Sequence, residues 1–397
     1  MTGIVIEAAR SLIGGEIGEV SLEIANGVIV GIDGPGERNS LRIDSRGLLA
    51  LPGIVDLHGD AFERQLMPRA GVDFPVDIAL ADSDRQAIAN GITTVFHGTT
   101  WSWEPGLRSA DNARKLLEAI ETMRPLLAAD TRFHLRHETF NLDAEDAIKQ
   151  WLADKRIDLL AFNDHMDGTE ADTRNPRKRA RMVERCGISG DAFDRLVESV
   201  MARAEEVPAS IGRLAEAARA AGVPMLSHDD KTPSMRKVYR DLGVAVAEFP
   251  INEETAREAA AHGDFIVFGA PNVVRGGSHT GWTKAADMIA KSLCSILASD
   301  YYYPAQLLAA FRLVADGILP LPQAWRLISS APAEAAGLPD RGYLAVDKRA
   351  DIILVDDSVA LRPRVVAVIV RGRLVHLTEG ARIRGPADAA ITVLAAE

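Results

Sequence analysis

Short apolar runs recur through the middle of this chain, at residues 53–58, 93–97, 133–138, 159–162, 224–227, 244–249, 265–270 and 295–299. Between them lie amphipathic stretches such as 111–121 and 211–219, with apolar residues at helical spacing. Short, mainly apolar runs suit parallel strands covered on both faces. Eight strands with intervening helices predict a TIM-type (β/α)8 barrel, a fold of roughly 250 residues or more. A doubly wound α/β sheet gives the same alternation, but no Gly-x-Gly-x-x-Gly turn follows the first strand.

The two ends of the chain read differently. Residues 3–8, 20–24 and 28–32 are short strand patterns, and Asn26-Gly27 between the last two is a hairpin signal. So small a sheet cannot bury both faces alone. Its expected partner is the C-terminal part, where residues 351–355 and 365–370 alternate or run apolar. The predicted organisation is one discontinuous β-sandwich, residues 1–50 plus 336–397, around a barrel domain of residues 51–335.

Composition narrows the function without naming it. With 47% hydrophobic and 25% charged residues among 397, the chain is an ordinary globular protein with room for a large core. A net charge of −11 argues against general nucleic-acid binding, which needs a basic face. It still permits a small anionic substrate held by a local cluster of Arg and Lys. Cys186 and Cys294 read as reduced thiols. No signal-peptide pattern and no apolar run near ~20 residues is present, so the expected address is the cytoplasm, away from membranes. Dimerisation is the default for a barrel of this size.

In such a barrel the chemistry lies at the C-terminal ends of the strands. Those ends carry, in order, His58 with Asp60, then His97, Glu138, His165, His228, Asn272 and Asp300. In His58-Gly59-Asp60 the imidazole and carboxylate, two residues apart on a strand, point the same way. Imidazole with carboxylate suits Zn²⁺, Mn²⁺ or Fe²⁺ without choosing among them, and Zn²⁺ is the working expectation. One metal does not need six candidates; two metals, with Glu138 bridging, would use His58, Asp60, Glu138, His165, His228 and Asp300. Asp300 doubles as the expected general base, since a carboxylate near a metal-activated water can take its proton. His97 and His137 are expected to orient ligands or to be structural.

Three stretches could grip an anion. Residues 269–282 combine consecutive glycines with Arg275 and His279, a pattern for a phosphate-holding loop. Arg69, soon after the metal pair, is a further candidate. The basic run Asn175-Pro-Arg-Lys-Arg-Ala-Arg181 reads first as a solvated face.

Taken together, these residues resemble the amidohydrolase superfamily of metal-dependent hydrolases, and within it the α-D-ribose 1-methylphosphonate 5-triphosphate diphosphatases of phosphonate metabolism. The resemblance is carried by His58-x-Asp60 with Glu63, Pro68-Arg69, residues 91–96, His134-Leu-Arg136 with Glu138, Asp164-His165, Ser227-His-Asp-Asp230, residues 243–250, the block 269–279 and Ser299-Asp300-Tyr301. It implies that water attacks the α-phosphorus of a ribose 5-triphosphate, releasing pyrophosphate, with the six metal ligands above and with Arg275, His279 and Lys231 on the polyphosphate. Three positions depart from the family pattern: the acidic segment 166–172 after His165, Ala70, and the pair Gln65-Leu66. They flank the expected substrate, so a divergent substrate is the alternative: a deacetylase or deaminase that cleaves a C–N bond with the same activated water. A non-catalytic metal-binding protein is the remaining reading.

Overall fold

The computed structural model describes residues 3–34, 36, 39–69, 71–278 and 281–385. Eight parallel strands form one sheet in chain order: β1 (Ile54–Gly59), β2 (Ile92–Trp101), β3 (Asp130–Glu138), β4 (Leu159–Asn163), β5 (Met225–His228), β6 (Val246–Glu248), β7 (Phe265–Gly269) and β8 (Ile296–Ala298). Backbone hydrogen bonds close the cylinder: Asp300 N donates to His58 O at 2.9 Å and Asp60 N to Asp300 O at 3.2 Å. The fold is thus the predicted TIM-type α/β barrel. Strand β2 runs four residues beyond its apolar pattern, because its polar end stays paired with β3 as far as Trp101 and His137.

Val55, Leu57, Phe96, Leu226 and Val267 fill the barrel, and the helices pack outside it through residues such as Leu117, Ile148 and Leu214. Both chain ends build a second, nine-stranded sheet. Its first strand, Ile4–Ile13, pairs with Glu16–Ala25 on one side and with both Leu41–Asp44 and Leu49–Pro52 on the other. The sheet forks there and closes on a separate core that includes Ile6, Leu22, Ile43, Ile352 and Val366. Leu49–Pro52 also pairs with Ile352–Asp356, so the C-terminal strands join the N-terminal ones directly in front of β1.

The long segment after His165 is a helical insertion, Met166–Thr173, Pro176–Cys186 and Gly190–Met201, before the helix Val207–Ala221 returns the chain to β5. Both cysteines are buried and free, as expected. Among the described residues, no helix is long and apolar enough to cross a membrane.

Candidate active site

The strand ends force the chain into sharp turns. Asp229, Phe249 and Asp300, just beyond β5, β6 and β8, have φ of 57°, 55° and 55°. Non-glycine residues held in this region cost about 1–3 kcal/mol each, a strain that clusters at functional sites. Here the turns aim polar side chains at the barrel mouth.

His58 is buried, and its Nδ1 lies 2.8 Å from Glu248 Oε1. A carboxylate at Nδ1 favours the tautomer with the proton there, leaving the Nε2 lone pair for a cation. Nε2 is 3.9 Å from Asp60 Oδ2. Ligand atoms of His58, Asp60 and Asp300 lie within 4.8 Å of one another, as do those of His165, His228 and Asp229. The imidazoles link the two groups: ring centroids are 5.8 Å apart for His58 and His228, and 5.5 Å for His228 and His165. Glu138 lies in neither group and accepts a 2.6 Å hydrogen bond from His165 Nδ1. His134 orients its Nδ1 to Leu57 O at 2.9 Å, while its buried Nε2 has no hydrogen-bond partner.

The electrostatics are those of a cation site. Burial disfavours charge on His58, yet Glu248 and Asp60 together outweigh it and push the pKa up to about 10. Burial likewise opposes charge on His165, and Asp229 and Glu138 raise it to about 9. Against burial, His58 and the neighbouring imidazoles bring Glu248 down to about 2. Such an excess of carboxylate draws protons onto imidazoles when nothing else supplies positive charge. Arg136 supplies part of it, 3.7 Å from Asp60 Oδ2 and 3.1 Å from His228 Nε2. The donor types, their convergence and the buried Glu248 Oε2 and His134 Nε2, which have no hydrogen-bond partner among the described residues, fit divalent metal.

A cavity of about 210 Å³ opens over this cluster, lined by His58, Asp60, His228 and Asp300 on one side and by Arg275, Gly277 and Ser278 on the other. Arg275 Nη1 donates to Tyr301 Oη at 3.2 Å. Asn272 braces the glycine-rich loop, with Nδ2 to Thr283 O at 2.9 Å and Oδ1 accepting from Ala285 N at 3.0 Å. It is therefore a structural member of the loop.

The other anticipated residues scatter. Lys231 lines a neighbouring cavity, Arg69 is exposed on a turn outside both cavities, and His279 lies outside the described residues. In the basic run, Lys178 and Arg179 pair with Asp172 and Asp194, whereas Arg181 lines a third cavity. His97 and His137 are buried and not among the converging groups; burial lowers each to about 4, keeping them neutral. Glu248, Asp229 and Arg136 were not anticipated as members of the cluster. The signal for Glu248 is a lone acid closing an apolar strand, and for Asp229 its adjacency to His228.

A family model described as "Amidohydrolase family" matches residues 305–376. The chain is 32% identical over 357 residues to the α-D-ribose 1-methylphosphonate 5-triphosphate diphosphatase of Escherichia coli (strain K12), covering 88% of this chain and 94% of that one. Among solved structures, dihydropyrimidinase from Brevibacillus agri NCHU1002 superposes with a TM-score of 0.64 at 13% identity, covering 95% of each chain. A triazine hydrolase variant superposes at 0.65 and 17% identity, again over 95% of each. These last two establish a shared fold. With the barrel, the histidines and carboxylates at its strand ends, and a relative matched along nearly its whole length, the chain belongs to the amidohydrolase superfamily of hydrolases and is a relative of the α-D-ribose 1-methylphosphonate 5-triphosphate diphosphatase.

Proposed function

We propose that the protein hydrolyses α-D-ribose 1-methylphosphonate 5-triphosphate to the 5-phosphate and pyrophosphate. The observation that carries this reading is one cleft in which a histidine and carboxylate cluster faces a glycine-rich loop bearing Arg275. A site built for a neutral amide has no need of that guanidinium, whereas a polyphosphate does.

His58, Asp60 and Asp300 would hold one divalent cation, and His165, His228 and Asp229 a second, with Zn²⁺ the working choice. Such cations lower the pKa of water and offset charge gathering on phosphoryl oxygens. Glu248 fixes the His58 ring through Nδ1, and Glu138 does the same for His165. The Asp300 carboxylate accepts the proton of the attacking water as oxygen approaches the α-phosphorus. Arg136 and Arg275 stabilise the negative charge that spreads over the transferred and departing phosphates. Phe249, Phe268 and Trp282 wall the cleft and limit bulk water.

The test is a product assay on purified, metal-replete protein. Ribose 1-methylphosphonate 5-triphosphate is expected to give pyrophosphate and the 5-phosphate in equal amounts, with no ammonia or new carboxylate from hydantoin or dihydropyrimidine substrates. Turnover of the C–N substrates without pyrophosphate release would replace this reading with the amide-type one.

A further inference from the structure

The cleft over the cluster has neighbours. It shares Asp229 and Trp282 as walls with a second cavity of about 360 Å³. That cavity shares Arg108 and Arg185 with a third of about 1130 Å³. The three cavities therefore adjoin in a row, from His58 and Asp300, past Trp282, to two guanidiniums.

The two are not equivalent. Arg185 is forked onto the buried Glu104, with Nε to Oε2 at 3.0 Å and Nη2 to Oε1 at 2.5 Å, so its charge is compensated. Arg108 lines both cavities, and among the described residues its side chain has no hydrogen-bond or ion-pair partner. Its nearest influences are burial and two like charges, Arg185 and Arg136, opposed by Glu104 and Glu138. A guanidinium half withdrawn from water beside other cations gains most from an anion with two acceptor oxygens.

Its position is set by the backbone. Arg108 ends a one-turn 3-10 helix, Gly106–Arg108, in which Gly106 has φ 82° and comes so close to the basic helix that a Cβ there would lie 2.8 Å from Arg185 O. Ser102 N donates to Arg108 O at 2.8 Å and Asn112 Nδ2 to Gly106 O at 3.1 Å, pinning the turn at both ends.

A ribose triphosphate carrying a C1 phosphonate ester is anionic at both ends. With its α-phosphorus beside Asp300 and the departing phosphates toward Arg275, the sugar would lead along Trp282 and its far end would enter the second cavity, which Lys231 also lines. Resting on the diphosphatase reading, we propose that Arg108 receives the anionic group at the end of the substrate remote from the scissile bond. It thereby selects ribose triphosphates that carry a C1 phosphonate over those that do not.

The experiment compares Arg108→Gln with the unsubstituted metal-replete enzyme on two substrates, ribose 1-methylphosphonate 5-triphosphate and ribose 5-triphosphate, following pyrophosphate release. For the first substrate KM is expected to rise about 10- to 100-fold with kcat nearly unchanged, the size of a lost charge-assisted hydrogen bond. For the second, kcat/KM stays within about 2-fold. Calorimetric affinity for the product, ribose 1-methylphosphonate 5-phosphate, falls in step, and Arg108→Lys restores part of it. Equal losses on both substrates, or none on either, would overturn the assignment. An unsubstituted enzyme that releases no pyrophosphate from either would overturn the diphosphatase reading and this inference with it.

Discussion

Asp300→Asn is expected to lower hydrolysis about 10³-fold and to leave the fold unchanged. Asparagine keeps the shape and an oxygen for a cation but cannot take a proton, and a positioned general base contributes typically ~10²–10⁴-fold. The substitution is mild for the backbone, since asparagine is among the residues that best tolerate the φ of 55° at this position. The barrel closure also survives, because it uses the Asp300 main chain with His58 O and Asp60 N. Rate and metal content are to be measured together on the same preparation. A variant with its metal intact and full turnover would remove Asp300 from proton transfer.

Asp130→Asn is expected to cost about 3–5 kcal/mol of stability, the effect of breaking a buried ion-pair network by removing one partner. The carboxylate sits at the start of β3 and its Oδ2 receives Arg341 Nη1 at 2.6 Å and Arg349 Nη1 at 2.9 Å, with Arg132 Nη2 at 3.1 Å. Arg341 and Arg349 come from the segment leading into the C-terminal strands, so Asp130 ties the barrel to the terminal sheet. Burial alone would raise its pKa, but Arg132, Arg341 and Arg349 outweigh burial and hold it well below the usual carboxylate range. A depressed folded pKa gives a contribution complete above the unfolded value of ~3.9 and lost as pH falls below it. Urea unfolding should therefore show a large gap between Asp130→Asn and the unsubstituted protein at pH 7, narrowing below about pH 4. An equal gap at both pH values would mean that charge is not what Asp130 contributes.

The barrel was legible because most of its strands carry a compact, mainly apolar run, and such runs differ clearly from the amphipathic helices between them. The N-terminal strands were legible from their short strand patterns and the Asn26-Gly27 hairpin signal, and the C-terminal ones from their apolar runs. Strand β2 was cut short after His97 because Thr99 and Thr100 are polar, although they are buried in the structure. At the site, histidines were easy to find, being only nine in the chain and repeatedly at strand ends. Carboxylates and arginines were harder, since 56 acidic and 45 basic residues supply many decoys. Glu248 follows an apolar strand with no histidine beside it. Arg136 alternates along β3 with residues of the opposite face. Arg108 stands in a turn that carries no periodicity, so only the shared cavity walls single it out. Glu138 was expected between two cations, and its carboxylate lies 2.6 Å from His165 Nδ1, a placement of a few ångströms that spacing along a strand cannot encode.

The account depends on metal bound by six side chains from four strand ends, those of β1, β4, β5 and β8. Its most direct test is elemental analysis of the purified protein alongside turnover, before and after chelation. The expected result is about two divalent cations per chain, loss of hydrolysis when they are removed, and recovery on adding Zn²⁺. Full hydrolysis by protein stripped to less than about one tenth of a cation per chain would contradict it.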